Sequence, residues 1–360
     1  MARWMFGAGN EVARQQMLEY GFTVLTDNRA GLKAEDVPGF ALWRCLPAFS
    51  RRYVASPNEN LAQDPKGVMH KWFGSVCPTL PEAQQGNLEH VRRAAAEDGI
   101  AGIMIDGCRF SSPASGDGLD SFFTCFCPRC QEKMAELGLD IELIAAAVAA
   151  LQDLCHGKET AVSQEGIRQW MAFRKHVVTE HIRAFVRAVK EVNPALPVGI
   201  YIFSPAIAPW VGQDYADLRE VGIDLFAPMI YRHWKDTDGP ACLNVEIAAM
   251  AAGLEQSMAP EAVRDALERA CGIPIPQGGS QAIFDQGFAP NVVGLETARA
   301  RMMVGDAELW PILQLQDDRL AASESAARLA GADGVAFFAW NEQGSTWLET
   351  LGHTPDLTED

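Results

Sequence analysis

The stretch Ile100-Ala-Gly-Ile-Met-Ile-Asp106 decides how the rest of the chain is read. It is a short, continuously apolar run that ends in a carboxylate, with Gly107 immediately beyond. A run of this length without polar alternation suits a parallel strand covered on both faces. Three runs of the same kind precede it: Arg3–Gly7, Phe22–Thr26 and Ala41–Pro47. Four follow: Pro197–Phe203, Ile223–Ile230, Leu309–Leu315 and Gly334–Trp340. Helical patterns lie between them, including Asn10–Tyr20, Leu80–Asp98, Leu139–Leu154 and the amphipathic Gln164–Val192, which Asn193-Pro194 stops. A doubly wound sheet would carry GxGxxG after its first strand, and none is present. Eight strand–helix units of the α/β class therefore predict one closed (β/α)8 TIM barrel.

Such a barrel uses about 250 residues, so a chain of 360 carries decoration. The reading is a single barrel over residues 1–360, with an insertion at 107–162 in the fourth unit. A long connection, roughly 232–308, joins strands six and seven, and residues 352–360 form a loose tail. The composition, 48% hydrophobic and 21% charged, suits a substantial core. Lys plus Arg number 30 against 47 Asp plus Glu, a net charge of −17. That balance argues against nucleic acid and anionic membrane surfaces, both of which recruit basic patches, and favours a neutral or cationic ligand. No bilayer-length apolar run and no signal-peptide pattern occur, and nine cysteines without an export signal suggest a reducing, cytoplasmic setting. A homo-oligomer stays open.

Active sites of this fold lie at the C-terminal ends of the strands. Strand two ends at Asp27, three at Arg44, four at Asp106 with Arg109 just beyond. Strand six ends in Tyr231-Arg-His-Trp234, seven in Gln314, Gln316 and Asp317, and eight in Trp340-Asn-Glu342. Carboxylates and amides that bond hydroxyls, beside aromatic faces that stack on a ring, are what a carbohydrate requires. Trp72, Phe73 and Trp210 fall in loops on the same side, as an extension of that platform or as ordinary packing. Asp106 is the sharpest catalytic candidate; Glu342 and Asp317 are candidates for the second carboxylate of a glycosidase pair, although Asp317 also suits a helix cap. Asp27, Arg44, Arg109, Tyr231, Trp234, Gln314 and Trp340 are the expected substrate-binding residues. A non-catalytic carbohydrate-binding barrel, or a lyase or isomerase using Tyr231 or His233 as base, are the competing readings. No His-x-His on strand one, GxSxG or HExxH offers another chemistry.

Cys125, Cys127 and Cys130 form C-x-C-x-x-C, a spacing that lets thiolates converge on one tetrahedral ion, with zinc the usual choice. The fourth ligand is Cys77, in the loop after strand three, or Cys108, two residues past Asp106, with Cys77 favoured by the neighbouring loop.

A loop cysteine followed by Pro-x-x-Pro, then C-x-C-x-x-C after strand four, resembles the zinc cluster of family 42 glycoside hydrolases, the β-galactosidase group. The phrases IMIDG (103–107), CFCPRC (125–130) and GIDLFAPMIY (222–231) are similar to glycoside-hydrolase-like barrels related to that group. The likeness covers residues 70–135 well, and 195–235 and 305–345 more loosely. It implies a structural zinc on Cys77, Cys125, Cys127 and Cys130. The β-galactosidase group ends strand four in Asn-Glu and strand seven in Glu, whereas this chain has Asp106-Gly107 and Gln-Asp317, so β-galactosidase activity is not implied. An Asp closing strand four is similar to the nucleophile placement of α-galactosidase, α-fucosidase and α-amylase type barrels. By that analogy of folds Asp106 is the nucleophile of a retaining enzyme.

Overall fold

The computed structural model describes residues 2–27, 32–235, 241–341 and 344–351. Eight parallel strands close into a barrel: β1 (Arg3–Phe6), β2 (Phe22–Asp27), β3 (Ala41–Pro47), β4 (Gly102–Asp106), β5 (Val198–Phe203), β6 (Leu225–Met229), β7 (Ile312–Gln314) and β8 (Val335–Phe338). Each pairs with the next in chain order. The ring closes where Met229 of β6 meets Ile312 of β7, and where Arg3 of β1 meets Val335 of β8. The expected run Leu309–Leu315 arrives in two pieces, Glu308–Leu309 and β7. Pro311 stands between them and has no N–H to give the ladder.

Twelve helices are described. They are α1 (Glu11–Glu19), α2 (Pro81–Ala95), α3 (Pro128–Glu136), α4 (Ile141–Leu154), α5 (Gln164–Val192), α6 (Tyr215–Glu220), α7 (Leu243–Leu254), α8 (Pro260–Cys271), α9 (Gly279–Gln286), α10 (Pro290–Val304), α11 (Leu320–Leu329) and α12 (Gly344–Leu351). Local chemistry fixes several starts. Asn10, Asp140 and Ser163 accept from the third backbone N–H of α1, α4 and α5. The connection 232–308 holds four helices, α7–α10. In α8 the buried Val263, Leu267 and Cys271 recur every four residues, the spacing of one helical face. The tail 352–360 lies outside the described residues. No described helix is long and apolar enough to cross a membrane.

The barrel interior is packed by size complementarity. Trp4 of β1 contacts Trp43 of β3 and Trp310, with ring centroids 5.1 and 5.6 Å apart. Glycines on facing strands make room for these rings. A Cβ on Gly102 would lie 2.5 Å from the Trp43 ring, and one on Gly334 would lie 2.5 Å from Trp310. The Trp4 indole N–H donates to Thr26 Oγ1 at 2.5 Å, and the Tyr201 hydroxyl reaches the same oxygen at 2.8 Å. This layer seals the barrel below its C-terminal mouth. Because the rings are clamped on all sides, Gly102→Ala is expected to destabilise the protein by about 1–3 kcal/mol through overpacking, read as a lower denaturation midpoint in urea.

Candidate active site

Strand alternation sends every second side chain of a closed barrel inward. From β1 this selects Trp4 and Phe6, from β4 Met104 and Asp106, from β5 Tyr201, and from β8 Ala336 and Phe338. Above the tryptophan layer Trp4, Phe6, Asp106, Tyr201, Ala336 and Phe338 bound an open-mouthed cavity, lined also by Phe73, Met229, Tyr231, Ile312 and Phe337. The rings form a continuous wall: Tyr201 to Phe6 at 5.9 Å, Phe6 to Phe338 at 5.2 Å, and Phe338 to Tyr231 at 5.7 Å. Asp106 is the one acidic residue among the described residues that line the cavity. Burial pushes its carboxyl above the ordinary range, opposed by the Arg109 charge and the Gly107 N–H.

Arg109 is buried and faces three rings, those of Phe203, Phe73 and Trp72, at 4.8, 5.1 and 5.2 Å. Its Nη1 donates to the Phe110 carbonyl and to Ser115 Oγ. Burial lowers its pKa to about 10, and the charges of Glu246 and Asp106 act to raise it. Glu246 of α7 escaped the sequence reading. It is fully buried, accepts from Ser112 Oγ at 2.7 Å and from the Ala114 N–H at 2.8 Å, and ties α7 to the loop after β4. Burial raises its pKa against those hydrogen bonds and the Arg109 charge. Its signal in the sequence was a lone charge in the otherwise apolar helix LNVEIAAMAAGL.

The expected site residues divide sharply. Asp106 and Tyr231 line the cavity. Gln314 follows the inward Ile312 by two residues and is buried with an Oε1 that no group in the protein satisfies. Trp340 is half-buried against the first loop, its Nε1 lying 3.0 Å from where a Cβ on Gly9 would sit. The Trp234 backbone is fixed by the side chain of Asn244, which accepts from its N–H and donates to its carbonyl. Arg44 is placed differently. It sits between the inward Trp43 and Cys45, and its guanidinium turns outward to Glu97 at 2.6 Å and to the Leu32 carbonyl. Asp27 is Arg44's partner in register, so alternation places it on the same outer side. Asp317 is also committed elsewhere. Arg232 grips both its oxygens, while Ser323 Oγ and the Arg319 N–H take the remaining acceptor positions. Glu342 lies outside the described residues. His233 packs against Gly287. Of the three loop aromatics, Phe73 lines the cavity while Trp72 and Trp210 are buried in loop packing.

A second constellation stands beside the mouth. Cys77, Cys125, Cys127 and Cys130 are buried, with all four Sγ atoms within 4.8 Å of one another. Cys77 Sγ is 3.5 Å from each of the other three. A tetrahedron with bonds of about 2.3 Å has edges of about 3.8 Å, so the four sulfurs fit one thiolate-bound ion. Thr79 Oγ1 approaches Cys77 and Cys130 at 3.1 and 3.3 Å, and the Gln63 N–H donates to Cys125 at 3.4 Å. Cys108 is buried outside this group, where burial pushes its thiol up.

Arg174, also missed, supports the same constellation. Its guanidinium is fully buried, stacks on Trp170 at 3.8 Å, and donates only to the carbonyls of Phe122, Thr124 and Trp210. Burial pushes it well down, and the charges that counter this come from Cys125 and Cys130. Among the described residues no carboxylate pairs with Arg174, and a buried cation calls for a nearby anionic group, a role that ligating thiolates would fill. The clue lay in α5 periodicity, since Trp170, Phe173, Arg174, Val177 and Val178 share its buried face.

No protein-family model and no curated protein matches the sequence. Solved structures do match in fold. A β-galactosidase from the psychrophilic Marinomonas ef1 is 12% identical with a TM-score of 0.58, over 94% of this chain and 54% of that one. The chain thus spans about half of that enzyme. The PgaB (BpsB) glycoside hydrolase domain from Bordetella bronchiseptica is 12% identical with a TM-score of 0.56, over 97% of both chains. The catalytic domain of β-amylase from Paenibacillus polymyxa is 11% identical with a TM-score of 0.53, over 99% of both. The chain therefore has the parallel eight-stranded barrel fold seen in glycoside hydrolases.

Replacing Arg174 by Ala strips three buried carbonyls of their donor. At about 1–3 kcal/mol for each unsatisfied group, the variant is expected to lose at least about 3 kcal/mol of stability in denaturant titration.

Proposed function

We propose that the protein is a glycoside hydrolase working at the barrel mouth, with Asp106 as nucleophile of a retaining reaction. The observation that carries this reading is a lone carboxylate at the end of β4, set in an aromatic-lined cavity at the barrel mouth. An Asp106 oxygen attacks the anomeric carbon as the bond to the leaving oxygen breaks, and that oxygen takes a proton from a second carboxylic acid. Water then releases the sugar from Asp106, with the second carboxylate, deprotonated in the first step, accepting the water's proton. Between the two states the anomeric centre carries positive charge, which the Asp106 carboxylate and the faces of Phe6, Tyr201 and Phe338 stabilise. With Asp317 held by Arg232, Glu342 is the proposed proton donor. Arg109, Tyr231, Gln314, Trp234 and Trp340 are proposed to hold the substrate. The barrels it resembles in fold include glycoside hydrolases of several specificities, which supports a carbohydrate as substrate class.

Cys77, Cys125, Cys127 and Cys130 would hold a structural zinc that pins the loop after β4 to the loop after β3. Four thiolates leave no open position, so its contribution is architectural. These reduced thiols, with the other five cysteines unpaired, support the cytoplasmic reading.

A carbohydrate-binding barrel without catalysis is the second reading, favoured by the single acidic residue among the described residues of the cavity. A lyase using Tyr231 is weaker, because burial pushes that hydroxyl well up and disfavours it as a base.

A panel of aryl α- and β-glycosides separates these. Asp106→Asn is expected to cut turnover by roughly a thousandfold or more, and undiminished turnover removes Asp106 as nucleophile. Asp106 acts ionised and its pKa is raised, so kcat/KM is expected to fall, as pH drops, already above the range of an exposed aspartate. Arg109→Met removes the charge that opposes this shift and is expected to move the acidic limb to higher pH. Metal analysis is expected to find about one zinc per chain, with chelation lowering the melting temperature; an equally stable metal-free protein refutes the clamp.

A further inference from the structure

The described wall of the cavity is mostly aromatic. Among the described residues that line it, the side-chain polar groups are the Asp106 carboxylate, the hydroxyls of Tyr201 and Tyr231 and the Trp4 indole N–H, and the Tyr201 and Trp4 groups are both engaged with Thr26. A positive charge clothed in C–H groups is what an aromatic wall and a carboxylate satisfy together. Ring faces carry negative quadrupole density, and the carboxylate carries the opposite full charge.

The local charges agree. Among the described residues no side chain hydrogen-bonds or ion-pairs with the Asp106 carboxylate, and the Gly107 N–H donates to it. Arg109 turns its Nη1 to Ser115 and Phe110, and Glu246 lies close enough to offset its charge. The wall from Tyr201 through Phe6 and Phe338 to Tyr231 faces the same space as Asp106. At the rim Phe73 is 49% exposed, held there by a backbone φ of +38°. A net charge of −17 draws cations toward the protein at long range.

We infer that the barrel mouth is an organic-cation site. It takes an ammonium group with its charge toward Asp106 and its C–H faces against Phe6, Tyr201, Tyr231 and Phe338. The source is either the protonated amine of an amino sugar or an alkylated ammonium. The inference rests on the wall of the cavity and requires no bond cleavage, so it stands or falls apart from the hydrolase reading.

The test is calorimetric titration of the full chain with two matched pairs. One is choline and its uncharged carbon isostere dimethylbutanol; the other is glucosamine and glucose, at neutral pH. The charged member of at least one pair is expected to bind about tenfold or more tightly than its neutral partner. Preference within the choline pair identifies an alkylated ammonium, and preference confined to the sugar pair identifies an amino sugar. Asp106→Asn and Phe338→Leu are each expected to lower the preference several-fold, with circular dichroism confirming the fold. Equal affinities within both pairs, or no binding by any of the four, overturns the proposal. So does a preference that survives Asp106→Asn in a folded variant. Because the wild-type comparison is decisive alone, a variant that fails to fold leaves the test intact. Absence of glycoside turnover beside a retained cation preference counts against the hydrolase reading only.

Discussion

Closure of eight parallel strands forces neighbouring residues of each strand to opposite sides of one wall, and the chemistry of this protein depends on that constraint. On β3 it sends Trp43 inward to Trp4 and turns Arg44 outward to Glu97. On β4 it places Asp106 two residues beyond Met104, inside the mouth, where burial raises its pKa. The tryptophan layer beneath closes the bottom of the cavity, and the glycines at 102 and 334 exist in that layer because no other residue leaves room for the rings. A carboxylate held above such a floor is surrounded by aromatic side chains and little else. The proposed reactivity and the proposed ligand preference both rest on this arrangement.

The loops after β3 and β4 are held by electrostatics as much as by packing. Cys77 comes from the first and Cys125, Cys127 and Cys130 from the second, and their sulfurs converge at tetrahedral spacing. Arg174 of α5 joins this centre to Trp210, beyond β5, through carbonyl bonds. On the cavity side Glu246, Ser112 and Ala114 bind α7 to the loop after β4. The loop that carries Arg109 is thus fastened at one end by a buried carboxylate and at the other by the thiol centre. That rigidity gives Arg109 a fixed position over Phe203, Phe73 and Trp72 and a steady influence on Asp106.

Legibility in the sequence tracked the range of the interaction. Strand runs were readable because continuous apolarity is local; Ala41–Pro47 and Gln164–Val192 have the same bounds in the structure as in the sequence reading. That Asp106 lines the barrel mouth was readable because it closes a strand, and strand ends in this fold border the mouth. The ion-pair partners of Arg44 and Asp317 were not readable for one reason: a charged residue near a strand end has the same local signature whether it faces the cavity or a distant ion-pair partner. Their partners, Glu97 and Arg232, lie 53 and 85 residues away. Glu246 and Arg174 were each visible as a charge on an apolar helix face, a pattern whose meaning depends on what packs against that face.

The sequence by itself determined the eight strands, the order in which they close, the carboxylate at the end of the fourth and the three-cysteine cluster beyond it. These are consequences of residue type and spacing within a few turns of chain. Only the tertiary structure decided that Cys77 and not Cys108 joins the cluster, and that Asp317 belongs to Arg232. It alone showed that Phe6, Tyr201, Tyr231 and Phe338 stand together around Asp106. Those facts depend on which surfaces meet when the barrel closes. Hydrogen bonds and desolvation act over a few ångströms of space, across separations along the chain that local pattern does not encode.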